Sequence, residues 1–185
     1  MNIDVISVIL CNLDMNKYEK VAYVLPDREQ NQVLSYWKMH TKYTVKENKY
    51  CIRWYRNGKL HRDDDLPAVE FVCGTKKWFK NGKLHRDDDL PAVEEYNGDK
   101  FWYKNGKQHR DGDLPAVEYA NGDKYWYKNG KLHRDGDFPA MVWIDGTKIW
   151  RKNGNLHRDG DLPAIVEGVT GTKQWWKNGI RYYPS

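Results

Sequence analysis

The sequence has few cysteines, few phenylalanines and no long apolar segment. Its three cysteines, Cys11, Cys51 and Cys73, are odd in number and hold no fixed place in the pattern of the chain. A secreted disulfide scaffold needs paired cysteines, so a reducing compartment is the better interpretation. The N-terminus lacks the positive region of a signal peptide, and no apolar run reaches membrane-spanning length. We therefore expect an intracellular, soluble protein that is not secreted and has no membrane span.

Charge of one sign does not dominate either. The chain carries 31 basic and 26 acidic residues, for a formal net charge of +5. Arginine repeatedly stands beside aspartate, as in Arg110-Asp111, which predicts an interspersed surface rather than a basic stripe. Nucleic acid is therefore not the expected partner.

A repeat of fixed period organises most of the chain. A tryptophan recurs every 24 residues, each time followed three residues later by an Asn-Gly pair. A single insertion between Ile165 and Thr172 delays a sixth, shortened copy by one residue. A period in this range indicates a repeat architecture. The repeated tryptophans are Trp54, Trp78, Trp102, Trp126 and Trp150, with Trp175 in the shortened copy.

Each copy predicts the same antiparallel hairpin. Lys124–Lys128 reads as a strand with its tryptophan on one face and its tyrosines on the other. Asn129-Gly130 predicts a type I′ turn, because both central positions of that turn need positive φ. The chain then bends at 135–137 and enters a partner strand at 139–143, which starts with proline. Asp145-Gly146 turns the chain into the next copy.

The predicted fold is therefore mainly β: an elongated antiparallel meander of hairpin repeats over residues 41–185. It should comprise five full repeats and a terminal half-repeat. An opening hairpin is expected before the first repeat, with strands at 43–45 and 50–55 and a turn around Glu47-Asn48.

Residues 1–40 do not follow the repeat and predict a small helical segment. Apolar residues recur there at helical spacing from Ile3, and a second apolar stripe ends where Pro26 forbids continuation. A third short helix is expected after Pro26. The segment could cap the open end of the repeat sheet or form a dimer interface, because exposed sheet edges must be covered.

The same segment resembles an F-box, a helical module that docks onto the adaptor subunit of a ubiquitin ligase. The resemblance rests on the apolar positions of Asp4–Leu13, on Val21 and Val24, and on Trp37. It implies an adaptor that recruits a ligase to a partner held by the repeats. The docking residues would be Ile6, Ile9, Leu10 and Leu13.

From about Tyr43 onward, the period, the aromatic strand and the Asn-Gly turn resemble MORN-type repeats. The glycines that usually follow the turn are replaced by a His-Arg-Asp…Pro-Ala block, as in His85–Ala92. This variant resembles repeat proteins that large DNA viruses of amoebae encode in many copies. The resemblance implies a non-enzymatic scaffold, either a virion component or an infection factor in the host cytoplasm or nucleus. Because the block is altered, the phospholipid binding attributed to some MORN proteins is not expected.

The His-Arg-Asp triplet also occurs in the catalytic loop of protein kinases, but the other kinase motifs are missing. A catalytic residue is rarely needed in five equivalent copies. Equivalent histidines about 10 Å apart cannot share a zinc ion, and Asp63–Asp65 lacks the spacing of a calcium loop. We therefore expect no enzyme, metal or cofactor, and a hydrogen-bonding or stacking role at each bend, with arginine and aspartate pairing beside it. The histidines are His61, His85, His109, His133 and His157.

The repeated aromatic residues are the candidate interaction surface. They could hold a sugar, a peptide or single-stranded nucleic acid, or pack as the core against Val69, Val93 and Val117. The leading expectation is a scaffold for protein–protein interaction that self-associates as a homodimer, because a one-dimensional sheet must shield its ends and apolar face.

Overall fold

A computed structural model of the 185-residue chain describes residues 43–184. The chain divides into two compact units, Met1–Val45 and Lys46–Ser185. The predicted helical segment at 1–40 lies outside the described residues. So do its four candidate docking residues, Ile6, Ile9, Leu10 and Leu13.

The described part contains strands and turns, and no helix. In chain order the strands are β1 (Thr44–Asn48), β2 (Cys51–Arg56), β3 (Lys59–Leu60), β4 (Val69–Phe71), β5 (Lys76–Lys77), β6 (Phe79–Lys80), β7 (Lys83–Leu84), β8 (Val93–Glu94), β9 (Lys100–Phe101), β10 (Tyr103–Lys104), β11 (Lys107–Gln108), β12 (Val117–Glu118), β13 (Lys124–Tyr125), β14 (Tyr127–Lys128), β15 (Lys131–Leu132), β16 (Met141–Val142), β17 (Lys148–Ile149), β18 (Arg151–Lys152), β19 (Asn155–Leu156), β20 (Ile165–Val166), β21 (Lys173–Lys177) and β22 (Ile180–Tyr182).

These strands form one 14-stranded antiparallel sheet and four two-stranded sheets. The main sheet runs in the order β1-β2-β4-β5-β8-β9-β12-β13-β16-β17-β20-β21-β22, with β3 paired to β2, so each interior repeat contributes two strands to it. The pairs β6–β7, β10–β11, β14–β15 and β18–β19 form side hairpins. The predicted elongated antiparallel meander of hairpin repeats is confirmed. Each interior repeat, however, contains four short strands instead of the expected two.

The strand predicted across Trp126 is broken at the tryptophan itself. β13, which ends at Tyr125, lies in the main sheet, whereas β14, which begins at Tyr127, pairs with β15 in a side hairpin. The backbone of Trp126 forms hydrogen bonds with both the main sheet and the side hairpin. Its N–H donates to the carbonyl of Ala140 at 2.8 Å, and its carbonyl accepts the N–H of His133 at 3.0 Å. The chain therefore changes partners at each interior tryptophan.

The predicted Asn-Gly turns are confirmed. Asn129 has a φ of 53° and Gly130 a φ of 85°, so both central residues are in the left-handed region that a type I′ turn requires. Asparagine tolerates this region better than most residues with a side chain, and glycine adopts it without steric cost. The turn chemistry read from the sequence therefore fixes the tip of each hairpin.

The opening hairpin differs from its prediction by the position of the turn. β1 continues through Asn48, so the turn falls at Lys49-Tyr50 instead of Glu47-Asn48. The side-chain oxygen of Asn48 accepts the backbone N–H groups of Tyr50 at 2.9 Å and Cys51 at 3.0 Å. This local Asx interaction moves the reversal two residues downstream.

The predicted one-residue insertion is absorbed in the turn between β20 and β21. In the preceding copy, the Gly146 N–H donates to the carbonyl of Trp143, three residues back, at 3.0 Å. Gly171 instead donates to Glu167, four residues back, at 3.0 Å. The longer turn preserves the pairing of the flanking strands, since Ile165 lies opposite Gln174.

Candidate functional site

The boundary between successive repeats is built around one aspartate. The backbone carbonyl of Asp89 accepts the indole N–H of Trp102 at 2.9 Å. Its carboxylate accepts two hydrogen bonds from Arg110, from Nε at 2.9 Å and from Nη2 at 2.8 Å. One residue of a repeat thus holds two side chains of the next, and we call this arrangement the inter-repeat clamp.

The arginine of the clamp is also held within its own repeat. The guanidinium carbon of Arg110 lies 3.9 Å from the ring centroid of Trp102, within cation–π range. Its Nη1 donates to the carbonyl of Pro115 at 3.3 Å and to the carboxylate of Glu118 at 3.0 Å. The planar guanidinium therefore joins a buried ring, two carboxylates and the backbone, which a lysine could not do.

The clamp recurs at three other boundaries with closely similar geometry. The pKa of the Asp113 carboxyl is lowered by its hydrogen bond from Arg134, and that of Asp137 by its hydrogen bond from Arg158. The corresponding sets are Asp65 with Trp78 and Arg86, Asp113 with Trp126 and Arg134, and Asp137 with Trp150 and Arg158.

The repeated histidine forms a second bridge between repeats. The Nδ1 atom of His109 accepts the backbone N–H of Asn129, from the next Asn-Gly turn, at 3.3 Å. Its Nε2 lies 2.9 Å from the carboxylate of Asp111. These partners require a neutral imidazole protonated at Nε2, because Nδ1 must accept. Hydrogen bonds from Lys104, and then from His109, lower the pKa of Asp111. The geometry matches the predicted hydrogen-bonding role.

The same bridge is present in every full repeat. His61, His85, His133 and His157 each place Nδ1 within 3.0–3.1 Å of the asparagine N–H of the following turn and Nε2 beside an aspartate. Across residues 43–184, no group of three or more His, Cys, Asp or Glu side chains is placed to hold a metal ion.

The five repeated tryptophans lie in the core and not on the surface. Trp54 is 3% exposed, and the other four are 6–8% exposed. Arginine lies over each of the five rings, so a ligand cannot stack on these faces. The alternative that the repeated tryptophans form an exposed binding surface is therefore wrong for Trp54, Trp78, Trp102, Trp126 and Trp150. Trp175, in the terminal half-repeat, is partly exposed.

Partly exposed aromatic residues instead lie at the positions that flank Trp102 and Trp126 and at the residues that follow β12 and β16. The rings of Phe101 and Tyr119 are 5.9 Å apart, and those of Tyr119 and Tyr125 are 5.2 Å apart, both edge to face. Burial, followed by the proximity of Tyr119, Tyr125 and Tyr103, raises the pKa of Tyr127. We call this group the aromatic cluster. Its members are Phe101, Tyr103, Tyr119, Tyr125, Tyr127 and Trp143.

Charged residues occupy several of the equivalent positions on both sides of the cluster, whereas Phe79, one period before Tyr103, and Ile149, one period after Tyr125, are apolar. Lys77 and Glu95 stand one period before Phe101 and Tyr119, and they form an ion pair of 3.5 Å. Arg151 stands one period after Tyr127. The cluster is consequently an aromatic patch with charged residues along part of its boundary.

The sequence contained a signal for this cluster. The clamp residues are the same in successive repeats because they perform the same structural task at each boundary. The positions next to the tryptophan vary: position 101 is lysine one period earlier and isoleucine two periods later. Positions that vary while the clamp residues stay the same are positions that the fold does not require, so they are candidates for function.

Comparison of the chain with known protein families, with curated proteins and with solved structures gives no match. The resemblances to MORN-type repeats and to an F-box therefore stay predictions. Within residues 43–184, no helix is long and apolar enough to span a membrane.

Proposed function

We propose that the repeat domain is a non-enzymatic scaffold that binds protein through the aromatic cluster. The observation that carries this proposal is a patch of four tyrosines, one tryptophan and one phenylalanine, with charged residues at part of its boundary. Aromatic residues are enriched at the centres of protein interfaces, whereas charged residues are depleted there and lie at the rim. The clamps support this role, because they hold the cluster on a continuous hydrogen-bonded framework.

Self-association is the form of binding proposed first. The side chain of Trp143 is 36% exposed at one end of the cluster, and the tyrosines beside it present both ring surface and hydroxyl groups. Such side chains suit a surface that a second copy can cover. The resemblance to repeat proteins of amoeba-infecting viruses extends the proposal to a virion component or an infection factor inside the host cell.

Sedimentation velocity of the full chain over a range of concentrations tests this proposal. We expect a dimer that dissociates on dilution, and a monomer for the double variant Tyr119→Lys, Tyr127→Lys. Tyr96→Lys is the matched control, because Tyr96 is 73% exposed and lies outside the cluster. Circular dichroism should show the same β content in all three proteins. A concentration-independent monomer, or equal dimerisation of variant and control, contradicts self-association through the cluster.

A carbohydrate or single-stranded nucleic acid is the second candidate, because the aromatic cluster is partly exposed. Two features oppose it. The neighbouring rings meet at 88° and 74°, so they form no common stacking plane. Carboxylates such as Glu118, next to Tyr119, would also repel a polyanion. Titration with a single-stranded oligonucleotide at low salt separates the cases, since salt-sensitive binding would favour nucleic acid over protein.

A further inference from the structure

The Asn-Gly turns at the side hairpins are each held by the preceding repeat. The Gly106 N–H donates to the carbonyl of Leu84 at 2.8 Å, and the Asn105 N–H donates to Nδ1 of His85 at 3.1 Å. Two hydrogen bonds therefore fix both central residues of the turn. The held turns are Asn81-Gly82, Asn105-Gly106, Asn129-Gly130, Asn153-Gly154 and Asn178-Gly179.

The first turn has the same shape without these bonds. Asn57 has a φ of 50° and Gly58 a φ of 72°, as in a type I′ turn, and both residues are exposed. Within residues 43–184, neither backbone N–H donates a hydrogen bond. Among the described residues, the first turn thus differs from the other five mainly because it lacks the two hydrogen bonds that hold them.

We propose that Asn57 is the site at which this array undergoes spontaneous deamidation. The amide nitrogen of Gly58 loses its proton and attacks Cγ of Asn57, forming a carbon–nitrogen bond that closes a five-membered succinimide. The side-chain nitrogen leaves as ammonia. Water then opens the ring at either carbonyl, giving aspartate or isoaspartate. The overall reaction consumes one water molecule and releases one ammonia molecule, and it needs no oxidant or enzyme.

The inter-repeat bonds oppose each step of this reaction at the held turns. The attacking nitrogen must lose a proton that, in Gly106, is donated to the carbonyl of Leu84. The backbone must also rotate to bring that nitrogen onto Cγ of Asn105, which would break both bonds to the preceding repeat. Because glycine imposes little steric resistance in every copy, the hydrogen bonds are the feature that makes deamidation slower at the held turns than at Asn57.

The two Asn-Gly pairs in the turns that join main-sheet strands are protected differently. In Asn97-Gly98, the glycine N–H donates to the carbonyl of Glu95 at 3.0 Å. The Asn97 side chain is held as well, because its Nδ2 donates to the Asp99 carboxylate and its Oδ1 accepts the Asp99 N–H. Asn121-Gly122 shows the same pattern. Asn57 is thus the least restrained of the Asn-Gly asparagines in the described chain.

Deamidation would change the β2–β3 hairpin chemically. A carboxylate would arise between Arg56 and Lys59, the paired residues that flank the turn. In the isoaspartate product the backbone also gains one methylene at the tip, which a two-residue turn cannot accept without losing its geometry. The β2–β3 hairpin would therefore loosen while the held hairpins remain. This inference is independent of what the aromatic cluster binds.

Incubation of the full chain in mildly alkaline buffer, followed by acidic digestion and mass spectrometry, tests the proposal at every turn at once. We expect a mass gain of about 1 Da to accumulate at Asn57, and at least about fivefold more slowly at the five held turns, the factor that one net hydrogen bond supplies. Asn178 is the matched control, since it lies in the last hairpin and is nevertheless held.

A parallel incubation in concentrated urea gives the rate for each turn without structure. The rate at Asn57 in the folded protein should lie close to its rate in urea, whereas the held turns should approach theirs only in urea. The variant Asn57→Gln should abolish the mass gain in the peptide that spans the β2–β3 turn, even where that peptide also contains Asn48. Protection of Asn57 equal to that of Asn178, or a mass gain that persists in Asn57→Gln, would overturn the proposal.

Discussion

Asp89 and Arg110 form a two-pronged ion pair across the boundary between two repeats, although they are 21 residues apart in the chain. Arg110 does not pair in this way with Asp111, its neighbour in sequence, because that carboxylate accepts hydrogen bonds from Lys104 and His109. Asp111 therefore stabilises the bend within its own repeat, whereas Asp89 stabilises the boundary between two repeats. Repeat arrays gain much of their stability from such nearest-neighbour interfaces.

The first prediction concerns the charge of the clamp aspartate. Asp89→Asn keeps the backbone carbonyl that accepts the Trp102 indole but removes the ion pair with Arg110. Because the Asp89 side chain is 49% exposed, solvent screens the pair, and we expect a loss of about 1 kcal/mol in the free energy of unfolding. Urea unfolding followed by tryptophan fluorescence measures it.

Asp88→Asn is the control for that substitution. Asp88 has a positive φ of 57°, close to the 53° of Asp89, and asparagine tolerates this region equally at both positions. Asp88 is exposed and makes no ion pair within the described residues. Its substitution should leave the unfolding midpoint almost unchanged. Equal losses for the two variants would show that the Asp89–Arg110 pair contributes nothing to stability.

The second prediction compares two buried tryptophans with different hydrogen bonding. The indole N–H of Trp126 donates to the carbonyl of Asp113 at 3.0 Å. The indole N–H of Trp54 is buried and has no hydrogen-bond partner among residues 43–184. Trp126→Phe removes a bonded donor, whereas Trp54→Phe removes a donor whose burial is uncompensated. We therefore expect Trp126→Phe to lower the free energy of unfolding by about 1–3 kcal/mol more than Trp54→Phe.

Both substitutions remove similar ring volume from the core, so the difference between them reports the hydrogen bond. Chemical denaturation of the two variants and the parent protein supplies the measurement. A larger loss for Trp54→Phe would mean that packing around the first repeat outweighs the absent bond.

The third prediction concerns acid unfolding. Hydrogen bonds from Lys128, and then from His133, lower the pKa of Asp135 to about 2. The pKa values of Asp87 and Asp111 are lowered by the equivalent lysine and then histidine, and that of Asp159 by His157 and then Lys152. Since the folded pKa lies below the unfolded value of about 3.9, these groups stabilise the fold fully above about pH 4. The contribution of Asp135 is lost as the pH falls through about 2, and each of the others is lost as the pH falls through its own lowered pKa.

Thermal unfolding between about pH 5 and pH 2 should accordingly show a midpoint that declines as the pH falls below about 4. Asp135→Asn removes one of the four titrating groups, so its decline should be shallower than that of the parent protein. Identical slopes for the two proteins would show that Asp135 is not stabilised by its partners.

The sequence was sufficient to predict the features that depend on local chemistry. The period followed from the repeated tryptophans, and the turn at Asn129-Gly130 followed from the φ angles that only a few residues accept. The break at Trp126 could not be predicted, because Tyr125–Tyr127 keeps the alternation of one continuous strand. Where that strand changes partners is decided by the carbonyl of Ala140 and the N–H of His133, which come from later in the chain.

The candidate site was only partly predictable for the same reason. Equivalent residues could be recognised by their period, and the histidines were rightly expected to form hydrogen bonds. Pairing of each arginine with an aspartate was also expected, but the partner is in the preceding repeat and not beside the arginine, as Arg134 and Asp113 show. Sequence distance gives no indication of which carboxylate the folded arginine reaches.

The last prediction follows from the equivalence of the boundaries. Deletion of residues 102–125 joins Phe101 to Trp126, which puts an equivalent tryptophan and arginine opposite Asp89. Because the boundaries on both sides of the deleted segment use the same clamp, we expect the shortened protein to fold, with unchanged β content per residue and a lower unfolding midpoint. Deletion of residues 102–124 removes one residue fewer and puts Tyr125 where the tryptophan belongs. That one-residue shift would turn the core side chains of the strand toward solvent, so the control should lose its cooperative transition. Circular dichroism and urea unfolding distinguish the two proteins, and a control as stable as the 24-residue deletion would show that the clamps do not set the register.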